Sequence, residues 1–388
     1  MKNILHVFSV IDTAEAFFDG QLKYLADEGF TVHLITSPSA RAKPFSERNG
    51  TTYEAVKISR SITPFSDLKS LVSIISYIRK NRIEVVVGHT PKGALLSMLA
   101  AFIMRVPLRI YYRHGLVYTT KTGFARAILK NIEKSTAALA TEVVNVSPSL
   151  ADRCLKDGIN AQKKQFIIGK GSCGGIDTYI KFNLANIEKE KLDFLKNKLN
   201  IGSDTFVIGF AGRFCKDKGT AELVEAFQTI KKRHPKKQFL LLLVGDFDAR
   251  DVLNPKTADI INKDSNIFTT GWVSSTEMSS YYALMSVFVF PSYREGFGMS
   301  VIEASAMQVP VLVSKSIGCI DAVVENSTGY YIEINAESVA EGIEKFFDPN
   351  IREQFGKRGR KWVMENFEQS ELWPQIRGLY DAPSKNNV

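Results

Sequence analysis

The stretch VFVFPSYREGFGMSVIEASAMQVPVLVS, residues 287–314, decides the fold. VFVFPS is β-branched, aromatic and uncharged up to its proline, the signature of a buried strand. YREGFG is turn chemistry, MSVIEASAM has helical spacing, and PVLVS opens a second buried strand. A strand that passes through a turn and a helix into another strand is a parallel crossover. Two carboxylates stand out in it. Glu295 lies in the Gly-Phe-Gly turn, and Glu303 is the only charge between Met299 and Val313.

The same alternation runs outward in both directions. ILHVFSV, TVHLIT, TYEAVKI, VVVGH, RIYYRH, EVVNVS and QFIIG read as strands in the first half. FVIGFAG, QFLLLLVGD, IFTTG, VFVFPS, PVLVS and GYYIE follow in the second. Amphipathic segments separate them. In SDLKSLVSIISYIRKN, Leu68, Leu71, Val72, Ile75 and Ile78 recur at helical spacing and predict one buried face. The fold class is therefore α/β: two doubly wound, Rossmann-like parallel-sheet domains, expected to face each other across a cleft. The charged helical segment NLANIEKEKLDFLKNKLNIGSD marks the boundary. It sets the domains at residues 1–178 and 179–366, with 367–388 as a C-terminal helix, broken at Pro374, that returns to the first domain and ends in a frayed tail.

Length and composition agree. The chain has 388 residues, 45% of them hydrophobic, enough for two cores. Its four cysteines are far apart, which argues for a reducing compartment and against a zinc cluster. The N-terminus lacks the apolar run of a signal peptide, and no apolar run reaches the roughly 18 residues of a spanning helix. Net charge is +9 and unevenly placed: Lys and Arg outnumber Asp and Glu by 24 to 14 over residues 1–180, against 26 to 27 over the rest. A basic first half favours an anionic partner.

In doubly wound folds ligands bind in the loops beyond the strands' carboxyl ends. Gly296 and Gly298 let a ligand approach the backbone, and the helix start at Met299 and Ser300 offers amides to a phosphate. Glu303, one turn further in, needs donors if buried, and a ribose diol supplies a pair. Arg213 and Lys218 follow FVIGFAG and can converge on a diphosphate. Lys92, in the first turn of a helix capped by Thr90 and Pro91, opposes the helix dipole unless an anion is near, which points to phosphate or a phosphorylated acceptor.

These residues resemble a known family. Glu295 and Glu303 with the intervening Gly-Phe-Gly are similar to the E-x7-E signature of glycosyltransferase family 4, retaining nucleotide-sugar-dependent enzymes of the GT-B fold. Arg213 and Lys218 match that family's diphosphate-binding pair. HTPKGALLSMLAA, YYRHGLVY and IIGKGSCGGID resemble motifs of a branch that builds bacterial capsular and lipid-linked polysaccharides. The resemblance runs from about Lys2 to Tyr380. It implies an acceptor-binding first domain and a nucleotide-sugar-binding second domain. Glu303 would hold the ribose, backbone at Gly271 and Val273 the base, and Arg213, Lys218, Met299 and Ser300 the diphosphate. Glu295, Gly296, Phe297, Gly298 and His114 would orient the donor sugar. The catalytic set it implies is Glu295, His114, Arg213 and Lys218, with no metal and no cofactor. The expected donor is a UDP-linked N-acetylhexosamine or related amino sugar, and the expected acceptor a lipid-diphosphate-linked saccharide at the inner face of the cytoplasmic membrane, with no nucleic-acid partner. The first loop, SVIDTAEAFFDGQ, departs from the family's Gly-Gly pair with a single Gly20, and Lys170, Cys173 and Gly174 depart from its interdomain pattern. No acceptor contact is assigned there.

Other signals carry less. Asp246-x-Asp248 has the form of a metal-binding pair but follows a doubly wound strand. GKGSCG opens no helix, so no dinucleotide site is expected. KKRHPKK reads as a solvated helix end. TKTGFARAILKNIEKSTAALA mixes Phe124, Ile128 and Ile132 with Arg126, Lys130 and Lys134, and reads either as a half-buried helix or as one that rests on an anionic leaflet. A nucleotide-sugar epimerase of similar fold and a non-catalytic nucleotide- or membrane-binding module remain alternatives.

Overall fold

The computed structural model describes residues 2–59, 63–249 and 251–381. It divides into two compact units, Met1–Gly174 with Ser370–Val388, and Gly175–Gln369.

Unit 1 alternates between strand and helix, with two helices in its first crossover. Its elements are β1 (Asn3–Val7), α1 (Ile11–Phe17), α2 (Gln21–Asp27), β2 (Thr31–Thr36), α3 (Ala42–Arg48), β3 (Thr52–Ala55) and α4 (Pro64–Lys80). They continue with β4 (Val85–His89), α5 (Pro91–Ile103), β5 (Leu108–Arg113), α6 (Gly123–Leu139), β6 (Glu142–Asn145), α7 (Pro148–Lys156) and β7 (Gln165–Phe166). All strands are parallel, in the order β3-β2-β1-β4-β5-β6-β7. β1 and β4 are buried almost throughout, as central parallel strands must be.

Unit 2 contains α8 (Lys189–Lys198), β8 (Phe206–Ala211), α9 (Thr220–Arg233), β9 (Phe239–Val244), α10 (Pro255–Lys263), β10 (Ile267–Thr269) and α11 (Met278–Tyr282). After these come β11 (Val287–Phe290), α12 (Met299–Ala306), β12 (Val311–Ser314), β13 (Gly329–Ile332), α13 (Ala336–Glu344) and α14 (Pro349–Phe367). The sheet order is β10-β9-β8-β11-β12-β13, again all parallel. The last helix, α15 (Gln369–Asp381), lies almost wholly in unit 1, where Trp373 Nε1 donates to the Gly174 carbonyl at 3.0 Å.

The chain crosses between units at residues 174/175 and 369/370. The first crossing lies a few residues before the 178/179 division read from sequence. Ile176 bridges Glu368, and the Thr178 amide donates to the Glu368 carboxylate at 2.9 Å, which ties both crossing strands into unit 2. Gly175, at φ +80°, has no room for a side chain, since a Cβ would sit 2.6 Å from the Phe367 carbonyl oxygen.

Three local expectations are corrected. The first loop is not all loop, because residues 11–17 form α1, with Ile11 and Ala14 buried. In α4 the buried residues are Ser70, Ile74 and Ile78, while Leu68 and Val72 face solvent. Ser70 turns that face inward by donating to the Lys57 carbonyl at 2.6 Å. Finally, α15 continues through Pro374 instead of breaking there.

The core of unit 1 holds a row of imidazoles. His6 Nδ1 lies 3.0 Å from His89 Nε2, and His89 Nδ1 lies 3.0 Å from His114 Nε2. Phe8 stacks on His89 at 4.1 Å between centroids. Beside the row, fully buried Arg113 donates to Glu133 at 2.6 Å, Asn145 at 2.8 Å and Asn160 at 3.1 Å. This satisfied cluster fixes the end of β5 against α6 and so sets where His114 begins its loop.

Burial pushes His6 down to about 3 and His89 well below the ordinary histidine value, the latter also by repulsion from its two imidazole neighbours. The unfolded chain takes up these protons below about pH 6.5, and the folded core does not. Stability is therefore whole above that pH and declines as pH falls. Between pH 7.5 and 5.5 these two histidines and His114, which burial also pushes down to about 3, should together remove about 4 kcal/mol of folding stability. Urea midpoints at the two pH values, compared with those of His89→Gln, check this; a loss of the same size in the variant contradicts it.

Candidate functional site

The carboxyl ends of adjacent strands β8 and β11 bring the predicted residues of unit 2 into one network. The loop after β8 ends at Gly219, in the left-handed region at φ +65°, where an added Cβ would meet the Pro291 carbonyl oxygen at 2.1 Å. Only glycine permits this approach. It seats Lys218 beside the turn after β11, where the ammonium pairs with Glu295 and lies 5.0 Å above the Phe290 ring. Ser292 Oγ also donates to Glu295, at 2.7 Å. Asp217 joins the loops: its carbonyl accepts from the Tyr293 amide at 2.9 Å, its carboxylate from Arg294 at 2.7 Å, and its amide donates to Asp251 at 2.8 Å.

Arg213 leaves the same strand half exposed, with its guanidinium paired to the buried carboxylate of Asp248 in the loop after β9. The Phe214 amide donates to the Asp246 carbonyl at 2.8 Å, and the Asp248 amide returns a bond to Phe214 at 3.2 Å. Asp248, read from sequence as half of a metal-like pair, is instead the carboxylate that holds Arg213. Both cations expected at a diphosphate are thus neutralised by the protein's own carboxylates.

The turn after β11 is shaped by a second close approach. Gly318, at φ +80°, lies so near Gly296 that a Cβ would be 2.6 Å from the Gly296 carbonyl oxygen, and the Gly298 amide donates to the Gly318 carbonyl at 3.3 Å. Phe297 is buried, its ring 5.3 Å from that of Phe367. At the start of α12 the Met299 amide is already bonded to the Phe297 carbonyl at 2.9 Å. Among the described residues, Ser300 supplies the first-turn amide still open to an anion.

Glu303 stands one turn into α12 and accepts a hydrogen bond from Tyr282 Oη at 2.8 Å. Burial raises its pKa, against the pull of Lys181 and of the Tyr282 bond. Tyr282 was not singled out from sequence. Its signal was position, the last residue of α11, which packs on α12. Gly271 and Val273 flank Trp272, which is 73% exposed beyond β10.

Unit 1 carries the two remaining predicted residues. Lys92 does lie in the first turn of α5, but the anion that balances it is internal: Asp67 lies 2.6 Å from its ammonium. Burial alone would raise Asp67, but the bonds from Lys92 and Thr63 outweigh it and hold the carboxyl below its ordinary value. Thr90, the cap, adopts φ +61°, a strained conformation for a β-branched residue, and accepts from the Ser9 amide at 3.1 Å. His114 has both ring nitrogens engaged, Nε2 by His89 and Nδ1 by Cys173 Sγ at 3.6 Å. A ligand that met this ring would meet its carbons, or displace one of these partners. His6, His89 and Cys173 were missed as its companions, because β1, β4 and β5 become neighbours only in the folded sheet.

With the geometry in hand, comparison with known proteins is specific. Residues 192–362 match the family described as "Glycosyl transferases group 1", and residues 6–147 match "Glycosyl transferase 4-like". The capsular polysaccharide biosynthesis glycosyltransferase CapM of Staphylococcus aureus is 34% identical over 386 residues, 98% of each chain. An Escherichia coli UDP-Gal:alpha-D-GlcNAc-diphosphoundecaprenol alpha-1,3-galactosyltransferase is 22% identical over 93% of this chain and 91% of its own. The crystal structure of Anabaena Alr3699/HepE in complex with UDP-glucose superposes with a TM-score of 0.81 at 16% identity, covering 98% of this chain and 100% of that one. Two doubly wound parallel sheets of this kind make a GT-B fold, and with a relative 34% identical along virtually its whole length the chain belongs to glycosyltransferase family 4.

Proposed function

We propose that this glycosyltransferase moves an amino sugar, an N-acetylhexosamine or a close relative, from UDP to a lipid-diphosphate-linked saccharide during assembly of a bacterial surface polysaccharide, with retained configuration at the transferred carbon. The observation that carries the reading is the network at β8 and β11, where Lys218, Glu295 and the helix that bears Glu303 meet. In it Glu303 binds the ribose diol, and backbone at Gly271 and Val273 holds the base beside Trp272. Arg213, Lys218 and the Ser300 amide take the diphosphate. The incoming phosphates replace Asp248 and Glu295 as partners of the two cations. Freed from Lys218, Glu295 then faces the sugar with the Gly296–Gly298 backbone.

Charge that grows on the departing diphosphate is met by cations already fixed in place. Metal independence is accordingly part of the proposal, because Arg213 and Lys218 supply what a divalent ion would. The activities of the S. aureus and E. coli relatives, capsular polysaccharide biosynthesis and transfer of galactose from UDP to a diphosphoundecaprenol-linked sugar, support a UDP-linked donor and a lipid-diphosphate-linked acceptor.

A lipid-linked acceptor places unit 1 at a membrane surface. Phe65 and Leu68 on α4 and Phe124 on α6 are 93%, 60% and 81% exposed, beside Lys69, Lys121 and Arg126, and α5 packs against both helices. No described helix is long and apolar enough to cross a membrane, so the contact would be peripheral.

Three measurements test the reading. In a thermal-shift screen without magnesium, UDP should stabilise the protein more than GDP, TDP or ADP, by about 2–4 kcal/mol at 100 to 1,000 times its Kd. No response to any of them contradicts the nucleotide site. Lys218→Met should lower kcat/KM by roughly 10²–10³-fold if it stabilises the leaving group; a change below threefold removes it from that role. Sedimentation with phosphatidylglycerol vesicles, but not phosphatidylcholine ones, should capture the protein and release it at high salt. Phe124→Ser with Arg126→Ser should abolish capture, and equal binding to both vesicle types contradicts the electrostatic part.

A further inference from the structure

Glu303 is not held by helix geometry alone. Its carboxylate points into unit 2, where Tyr282 Oη donates to Oε2 at 2.8 Å. Tyr282 is itself fully buried, with its ring centroid 5.7 Å from that of Phe288 and 6.3 Å from that of Phe182. The phenol therefore cannot swing away without displacing core side chains, and its hydroxyl is a fixed donor. No other described side chain donates to Glu303. Lys181 lies near enough to favour the ionised acid but makes no bond to it. One oxygen is thus anchored, while Oε1 has no partner among the described residues.

We propose that Tyr282 is a positioning residue that makes the nucleotide site select ribose over deoxyribose. It anchors one Glu303 oxygen so that the carboxylate presents its other oxygen and remaining lone pair, in a set orientation, to two vicinal hydroxyls. This rests on the reading of Glu303 as the diol acceptor. A carboxylate can hold both hydroxyls of a diol only in one rotation about its last bond. Without the phenol that rotation is free, the acid becomes a weaker and less directed acceptor, and the bond to the second hydroxyl is the first to be lost. A merely structural bond between two buried groups would affect every ligand alike. A positioning bond affects only ligands that carry the diol.

The test uses the full chain and matched pairs: UDP, GDP and ADP, each against its 2′-deoxy counterpart, titrated calorimetrically into wild type and Tyr282→Phe. The substitution removes one oxygen and keeps the ring that packs on Phe182 and Phe288. The ratio of two affinities measured on one preparation does not depend on what fraction is folded. Wild type should prefer the ribonucleotide of its best-binding pair by about tenfold or more, the worth of a hydrogen bond to a charged group. Tyr282→Phe should weaken the ribonucleotide by roughly tenfold, leave the deoxynucleotide within about twofold, and so erase the preference. In a Glu303→Ala background the same substitution should change neither affinity. A ribo-to-deoxy ratio in Tyr282→Phe equal to that of wild type, or an effect that persists without Glu303, overturns the inference while UDP binding itself stands. A wild type that binds none of the six nucleotides overturns the nucleotide reading, and this inference with it.

Discussion

Gly219 has no side chain, and the Pro291 carbonyl occupies the space where one would be. That contact is the constraint from which the arrangement in unit 2 follows. It draws the loop after β8 against the end of β11, lets Lys218 reach Glu295, and brings Asp217 within bonding distance of the Tyr293 amide and Arg294. Parallel strands deliver their loops to one edge of the sheet, but adjacency there does not by itself bring side chains together. Here a left-handed glycine closes the remaining gap, and a second one, Gly318, does the same for the turn that carries Gly296.

The network explains how an open site can carry concentrated charge without a ligand. Arg213 and Lys218 are the pair proposed to meet a diphosphate, yet isolated cations near a partly buried turn would repel each other and resist desolvation. Asp248 and Glu295 neutralise them, and Ser292 fixes the second of these carboxylates. The site is held at little electrostatic cost, and in the function proposed above a ligand's phosphates would exchange with carboxylates already nearby. Family membership rests on the match along the whole chain, whereas the identity of the sugar depends on side chains that line a bound donor.

Much of this was legible in the sequence, and the reasons differ by level. The alternation of buried strands and helices is a local signal, and it is read directly into two parallel sheets. Glu295, Glu303, Arg213 and Lys218 stood out because each sits in a loop after a strand or within the first turns of the helix that follows, positions that the alternation marks. What stayed hidden were the pairings made only by folding, even where the residues themselves could be seen. Asp67 lies on a different helix from Lys92 and could not be matched to it by spacing. Tyr282 and Glu303 are separated by a strand and a turn, His89 and Cys173 reach His114 from other elements, and His6 joins the row through His89. The rotated face of α4 failed for a related reason. Periodicity finds an apolar stripe, but the bond from Ser70 to Lys57 decides which stripe turns inward.

The return of α15 to unit 1 has a consequence for biosynthesis. Lys2 donates to the Tyr380 carbonyl at 2.8 Å, and Leu372, Ile376 and Tyr380 are buried. The amino-terminal unit is therefore completed by residues that emerge from the ribosome only after the whole of its neighbour. Until then the surface awaiting that helix stays uncovered on the nascent polypeptide, a natural foothold for chaperones. A message truncated just after residue 369 would yield one finished unit and one left without its closing piece.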